Sequence, residues 1–286
     1  MKLFRGRYRL RDSALGLLFI APSMAVFILF AFVPFVRIIG WGTYESRQGG
    51  QWYKSVGFSQ YWDVLSGHEF REGLWHSFQF LLYTVPAGLV SGVLLALAAD
   101  RKLRGIKIYQ TALSSTIATA GAVAATVFFV LINPVVGIFK VDWLNDSHMA
   151  MFGVSLPAIW QNLGLSFVIV LAGLQAIPEE IVEASRLDGY GPVRRLFRIT
   201  LPMISPVLMF LAVILMTSGI QAFAEVDLLT QGGPNEGTET LLYKVFKSNT
   251  PVSIGTGSVM AVGLFVVTAI VVLLQFVILE RRVHYD

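Results

Sequence analysis

The sequence contains no cysteine, and this absence removes three classes of chemistry. Without a thiol the 286-residue chain forms no disulfide, no thiolate nucleophile and no cysteine-ligated metal site. Histidine is also scarce, and none of the four residues is paired at the HxxxH or HExxH spacing of metal sites. We therefore predict that the chain holds no metal. The four are His68, His76, His148 and His284.

Charged residues are the second shortage. They make up 14% of the chain, whereas soluble domains carry about 25%. Hydrophobic residues make up 55%, a balance typical of a protein surrounded by lipid. The formal net charge of +4 does not indicate nucleic-acid binding, because the basic residues lie at the ends of apolar runs. We expect no nucleic acid among the partners.

Six charge-free apolar stretches reach the roughly 20 residues that a helix needs to cross about 30 Å of hydrocarbon. They predict an all-α membrane protein with six transmembrane helices in a single transmembrane domain over residues 1–286. The first stretch is too long for a cleaved signal peptide, so we expect it to be retained. The stretches are Ala14–Val36, Gly73–Ala99, Ile108–Phe139, Met149–Pro178, Ile199–Ala224 and Ser248–Leu279.

Lysine and arginine are divided unequally between the two sides of these stretches. The two ends of the chain and the segments after the second and fourth stretches contain 15 of them, whereas the other connecting segments contain 7. Cytoplasmic loops carry the excess of basic residues. The bias therefore predicts a multi-pass protein with both termini in the cytoplasm.

The first outer segment, Arg37–Glu72, is rich in tryptophan and tyrosine. Aromatic residues of this kind favour the headgroup zone of a membrane, so we expect an interfacial anchor. A docking surface for an external partner is the alternative that the residues leave open.

The segment after the fourth stretch, residues 175–202, has the pattern of two short helices joined by a turn. Pro178 suits the first position of a helix, and the acidic pair Glu179–Glu180 suits the positive end of the helix dipole. Gly189 can adopt the left-handed conformation that ends a helix, and Pro192 can begin a second helix. We expect this helical hairpin on the cytoplasmic face.

The first of these short helices carries an apolar stripe, because Ile181, Ala184 and Leu187 recur at every third residue, with Glu183 beside them. Two interpretations follow from the residues alone. The hairpin lies on the anionic inner leaflet through its arginines, or it fits a socket in a cytoplasmic partner.

Two motifs carry a resemblance to a known family. The segment Glu183–Gly189, followed by Ile199–Pro202, resembles the EAA motif of permease subunits of binding-protein-dependent ABC importers, with Ser185 in place of the second alanine. The segment Thr230–Leu242 is similar to the TxGGPxxxTxTL stretch of the first permease subunit of carbohydrate importers, of the maltose and glycerol-phosphate type. Weaker similarities lie in residues 57–78 and 275–285.

The resemblance implies the type I ABC importer permease fold in a bacterial inner membrane. It implies four kinds of partner: a homologous second permease subunit, two copies of a cytoplasmic ABC ATPase, an extracytoplasmic solute-binding protein, and membrane lipid. ATP and Mg²⁺ would be bound by the ATPase. The chain lacks a GxxxxGK[ST] loop, so we expect it to carry no cofactor and to be no enzyme.

The resemblance also implies which residues couple the chain to the ATPase. The centre of the coupling segment would be Glu183, which pairs with a basic residue there, and Gly189, which allows the sharp turn. The full set is Glu183, Ala184, Ser185, Asp188, Gly189, Ile199, Leu201 and Pro202.

Polar residues within or beside the apolar stretches are candidates for lining a substrate path, because unpaired polar groups are costly in lipid. The alternative is that they form hydrogen bonds to neighbouring helices. The candidates are Gln161, Asn162, Ser218, Gln221 and Glu225. On the outer side we expect a turn that contacts the solute-binding protein, formed by Gly232, Gly233 and Pro234.

The expected function is that of a permease subunit of an ATP-driven sugar importer, forming half of the translocation path. A glycerol-3-phosphate or related phosphodiester importer is the alternative. An ion-coupled secondary transporter would also suit six helices, but it predicts a midplane acidic residue, and the six stretches contain none. A membrane enzyme would need clustered catalytic side chains, and no such cluster is evident in the sequence.

Overall fold

The structure, a computed structural model, describes residues 10–47, 51–100, 105–135, 137–250 and 252–280. Within these ranges the chain is mainly α-helical, with one two-stranded antiparallel hairpin that the sequence analysis did not anticipate. Several basic residues behind the orientation prediction lie outside the described residues. These are Lys2–Arg9, Arg101–Arg104 and Arg281–Arg282; His284 and the end of the C-terminal similarity also lie outside.

The chain begins with one long helix. Helix α1 (Leu10–Phe27) continues through a π-helical segment (Ile28–Phe32) into α2 (Val33–Trp41). The outer segment then forms β1 (Tyr44–Arg47), β2 (Gln51–Ser55) and α3 (Ser59–Leu65). Phe58 and Trp62 are exposed there, 71% and 77%, and a position at the lipid headgroups stays the prediction for them.

The second, third and fourth predicted stretches form helices that pack against one another. Their elements are α4 (His68–Ala99), α5 (Ile106–Ser114), a 3-10 turn (Ser115–Ala118), α6 (Gly121–Ile132) and α7 (Ala150–Gln175). The remaining elements are α8 (Glu179–Leu187), α9 (Pro192–Arg195), a π-helical segment (Leu196–Thr200), α10 (Leu201–Met203), α11 (Ser205–Ile220), α12 (Ala224–Leu229), α13 (Leu241–Lys247) and α14 (Ile254–Glu280).

Four helices in the described ranges are each long and apolar enough to cross a membrane. They are Gly16–Trp41, His68–Ala99, Ala150–Gln175 and Ile254–Val277. Two further spans are broken: Ile106–Ala118 meets Gly121–Ile132 at 102°, and Pro192–Met203 meets Ser205–Ile220 at 71°. Counting each bent pair as one span gives the six that the sequence predicts.

The spans predicted in Ile108–Phe139 and Ile199–Ala224 are bent instead of straight, and each break has a local cause. Thr119 and Ala120 are extended, with ψ of 125° and 144°, which ends the 3-10 turn before α6. At the other break Ile204 leaves the helical conformation, with φ of −90° and ψ of 8°. Pro206 lies in the first turn of α11, where its missing N–H costs nothing, but it cannot donate the hydrogen bond to the Pro202 carbonyl that a continuous helix would need.

The centre of the molecule is the contact between α4 and α7. Gly88 and Gly92 lie one turn apart on α4 and face Ser166 of α7, which is fully buried. A Cβ atom at Gly92 would lie 2.7 Å from Ser166 Cβ and 3.1 Å from its carbonyl carbon. Small residues at this spacing let two membrane helices approach closely. The sequence analysis did not single them out.

The first long helix stands apart from this centre. None of its membrane-crossing window is buried inside the chain, and Phe19 is 82% exposed. Only its last part packs on α14, where the rings of Phe35 and Phe265 lie 4.8 Å apart. Its apolar side chains are therefore available to lipid or to another subunit.

The α4–α7 contact predicts the effect of adding one methyl group. Gly92→Ala should lower the stability by about 1–3 kcal/mol, the usual cost of overpacking, because Ser166 and its backbone leave no space. Thermal unfolding of the purified protein in detergent measures this. Gly40→Ala is the matched control, since nothing lies within 4 Å of the added atom. Equal melting temperatures for the two variants would contradict the prediction.

Candidate coupling segment and substrate path

The segment between α7 and α11 folds as the sequence predicts, with a shift of one residue. Pro178 precedes α8 as its N-cap instead of occupying its first position. At the other end Gly189 is left-handed, with φ of 76°. Its N–H donates to the Arg186 carbonyl and the Tyr190 N–H donates to the Ser185 carbonyl, at 3.1 and 3.0 Å. This is a Schellman motif, which reverses the chain so that α9 can follow.

The reversal exposes apolar side chains on the two short helices. Leu187 is 89% exposed, and Val193 and Phe197 are 68% and 65% exposed. The Arg194 guanidinium lies 4.7 Å from the centre of the Tyr190 ring, a cation–π contact between the turn and α9. The segment thus presents an ordered surface with apolar side chains directed away from the chain.

The predicted coupling residues do not all share this surface. Ser185 is buried and donates to the Val182 carbonyl at 2.6 Å, while Ile199 and Leu201 are half-buried. The remaining members are exposed: Glu183, Ala184, Asp188, Gly189 and Pro202.

The five predicted path residues line one cavity of about 330 Å³, between α7 and the chain from α11 to α12. They are Gln161, Asn162, Ser218, Gln221 and Glu225. Glu225 is 9% exposed, and none of the described residues lining the cavity is basic. The cavity offers amides, one hydroxyl and one carboxylate.

Gln161 has a structural role as well as a position in the cavity. Its Nε2 donates to the carbonyl of Thr119, at the break between α5 and α6. Beside it Thr116 Oγ1 accepts from the Gly164 N–H at 3.0 Å. These bonds attach the break to the middle of α7. The Gln161 Oε1 and Glu225 Oε1 atoms both border Gly121, at 3.7 and 3.6 Å from a Cβ built there.

The glycine-rich segment after α12 forms the expected turn. Thr238 Oγ1 donates to the Gly233 carbonyl at 2.8 Å. Gly232 is buried with φ of 89°, and a Cβ there would lie 2.6 Å from Glu239 Cγ. Gly233 and Pro234 are half-buried, and the exposed tip is Asn235 and Glu236. The accessible part of this turn is therefore its tip and not Gly232.

An ion-pair network behind the turn was missed by the sequence analysis, which counted its lysines only as loop charges. Lys244 is 5% exposed, and its Nζ lies 3.3, 3.7 and 3.9 Å from carboxylate oxygens of Glu239, Glu72 and Glu236. Lys247 lies 2.6 Å from Glu239, and this hydrogen bond raises the pKa of Lys247. The two glutamates and two lysines within residues 236–247 were the sequence pattern that could have indicated these ion pairs.

The network and the coupling segment lie at opposite ends of α4. Glu72 near its start belongs to the network, and Leu97 and Asp100 at its end border a cavity of about 470 Å³ shared with Val182 and Arg186. A helix of 32 residues is about 48 Å long. The two regions are thus separated by roughly the thickness of a membrane with its headgroups.

Residues 88–285 match the family described as "Binding-protein-dependent transport system inner membrane component". The chain belongs to this family. The permease is 30% identical over 297 residues to the sn-glycerol-3-phosphate transport system permease protein UgpA of Salmonella choleraesuis (strain SC-B67), covering 100% of both chains. It is 32% identical to UgpA of Yersinia enterocolitica over 96% of this chain and 97% of the relative.

Solved structures show the same fold. A permease from a bacterial ABC transporter that imports the acidic polysaccharide alginate has a TM-score of 0.79 at 19% identity, covering 95% of this chain and 96% of that one. A chain of the MetNI methionine ABC transporter has a TM-score of 0.55 at 16% identity, covering 78% of this chain and 97% of that one. The permease thus has the type I ABC importer fold and is a multi-pass inner membrane protein.

The ion-pair network predicts unequal effects for its two lysines. Lys244→Met should destabilise the permease by about 3 kcal/mol, because the buried Glu239 carboxylate loses its buried partner. Lys247→Met should cost about 1 kcal/mol or less, since Lys247 is 56% exposed. Thermal unfolding in detergent compares them. A larger loss for Lys247→Met would refute the assignment of Lys244 as the central cation.

Proposed function

We propose that the permease forms half of a sugar path with a homologous second permease subunit, and couples that path to two copies of a cytoplasmic ABC ATPase. The observation that carries this proposal is the convergence of the five polar candidates on one cavity of about 330 Å³. Hydroxyl-bearing solutes need both donors and acceptors, and side-chain amides supply both.

The coupling segment supports an ATPase as the cytoplasmic partner. Exposed Leu187 and Phe197 are costly in water, so they favour contact with a protein socket or with the inner leaflet. Glu183 stands exposed on the same helix and would pair with a basic residue of the ATPase. ATP and Mg²⁺ belong to that partner.

The tip of the turn at Asn235 and Glu236 is the proposed contact for an extracytoplasmic solute-binding protein. Three features support this: the tip is exposed, it is held by the ion-pair network, and it lies at the end of α4 away from the coupling segment. One solved relative of the fold is an alginate transporter in complex with an alginate pentasaccharide-bound periplasmic protein.

The same geometry supports a cytoplasmic position for both termini. The start of α14 lies against the Tyr44 carbonyl that follows the first long helix, so the outer ends of both helices meet. Their other ends, Leu10 and Glu280, then point to the side of the coupling segment. The basic bias of the sequence places that side in the cytoplasm.

The cavity favours a neutral carbohydrate over a phosphorylated solute. Glu225 would repel a phosphate, and the described lining residues include no cation to offset it. Glycerol-3-phosphate is the second candidate, because the two relatives described above are sn-glycerol-3-phosphate transport system permease proteins. That solute would require cations from the second permease subunit.

Charge reversal tests the coupling segment. Glu183→Lys should abolish ATP-driven uptake and the co-purification of the ATPase, because it removes the pairing carboxylate and adds repulsion. Glu45→Lys is the matched control, an exposed glutamate in the outer hairpin, and it should retain the ATPase. Uptake that continues in the Glu183→Lys variant, or without any ATPase, would contradict the proposal.

Glu225→Gln tests the solute class in the complete transporter. A carboxylate accepts stronger hydrogen bonds from hydroxyl groups than an amide does, so uptake of a radiolabelled neutral oligosaccharide should fall about tenfold. Uptake of glycerol-3-phosphate should not fall, because a repulsive charge is removed. An increase in glycerol-3-phosphate uptake with no loss of sugar uptake would favour the second candidate.

A further inference from the structure

One face of α7 borders two separate openings. Gln161 and Asn162 line the cavity already described, and Val168, Ala172 and Gln175 line a groove of about 420 Å³ beside α5. Because a helix turns about 100° per residue, Gln161 shares one face with the three groove positions, and Asn162 lies beside that face. The groove positions are exposed, whereas the positions between them are mostly buried.

The opposite wall of the groove is a polar stripe on α5. Lys107, Gln110, Thr111 and Ser114 are three or four residues apart and all line the groove. The other side of α5 is apolar, and Ile108 is 78% exposed there. Gln110, Thr111 and Ser114 donate to backbone carbonyls of this chain, so Lys107 is the member of the stripe that requires water or a polar partner.

The groove continues the cavity toward the cytoplasm. The break between α5 and α6 is attached to α7 at Gln161 and Gly164, between the two openings. The cavity therefore lies on one side of the break and the groove on the other. Gln175 ends α7 immediately before the coupling segment, which places the groove at the coupling end.

The charges of the two openings differ. Glu225 is the one charged residue among the described residues that line the cavity. Lys107 is the one charged residue among the described residues that line the groove. The side chains of Lys107 and Gln175 make no hydrogen bond or ion pair within the described ranges. They are therefore available to a solute or to water.

We propose that the α5–α7 groove is the inner half of the translocation path, and that solute leaves along it past Lys107 to the cytoplasm. This inference rests on the proposed function. The Gln175 amide and the side-chain oxygens of Gln110 and Thr111, whose donors bond to backbone carbonyls, would replace part of the solute's hydration there. Val168 supplies an apolar surface for carbon-bound hydrogens.

The absence of cysteine makes a direct test available, because any single introduced thiol is the only one in the chain. Ala172→Cys places a thiol in the groove, and Ala112→Cys places one on the far side of α5. Both are exposed alanines, so the substitutions are matched. The complete transporter, with cysteine-free partner subunits, is prepared in inside-out vesicles and treated with a membrane-impermeant methanethiosulfonate.

Ala172→Cys should react at least about tenfold faster than Ala112→Cys, because thiolate forms in water and not in lipid. A transported sugar at saturating concentration should slow the reaction at position 172 alone. Equal rates at the two positions, or no reaction at position 172, would overturn the inference.

Uptake separates this inference from the proposed function. ATP-driven sugar uptake by cells that carry the unmodified variants tests the function, and the labelling rates in inside-out vesicles test the groove. Normal uptake with an unreactive Ala172→Cys refutes the groove alone, whereas a reactive Ala172→Cys in cells that take up no sugar refutes the function.

A charge variant checks the role of Lys107. An anionic reagent should modify Ala172→Cys about threefold faster than a cationic one of the same size, the effect expected of one nearby charge in water. Adding Lys107→Gln should remove this preference. A preference that survives the substitution would show that Lys107 does not face the groove.

Discussion

The close approach of α4 and α7 is the constraint on which the other sites depend. Gly92 leaves no space for a side chain against Ser166, and this brings the two helices into contact along their lengths. Helix α4 then holds the ion-pair network at one end and borders the coupling segment at the other. Helix α7 turns its free face toward the cavity and the groove.

The two breaks in the spans follow from a rule of the bilayer. Backbone groups freed from a helix must find partners within the protein, because lipid offers none. At Thr119 the partner is the Gln161 side chain, and Thr116 supports the same point on α7. A polar side chain that closes the break also borders the cavity. Gln161 therefore has a structural role in addition to its position in the cavity.

Charged side chains occur in this molecule either as ion pairs or as single charges that line an opening. At the outer end, Glu239 and Lys244 are buried but paired, so they hold the turn in place instead of serving as free charges. Within the openings, Glu225 and Lys107 stand apart from any ion pair in the described ranges. Paired charges hold the turn in place, whereas the single charges of Glu225 and Lys107 give the cavity and the groove opposite electrostatic character.

The sequence by itself determined the number of spans, the shape of the coupling segment and the identity of the polar candidates. Hydropathy, turn chemistry at Gly189 and the position of Pro192 depend on neighbouring residues, so they can be deduced without a fold. The same is true of the Gly232–Pro234 turn. Pro178 is the N-cap of α8 and not its first helical residue, so the predicted start of this helix was wrong by one residue.

Only the tertiary structure decided which distant residues meet. The cavity joins Gln161 to Glu225, and the network joins Glu72 to Lys244; neither pairing follows from local spacing. The breaks at Thr119 and Ile204 occur in stretches whose hydropathy is uninterrupted. Hydropathy reports the preference of each residue for lipid, whereas bends and contacts are set by how closely helices such as α4 and α7 can pack.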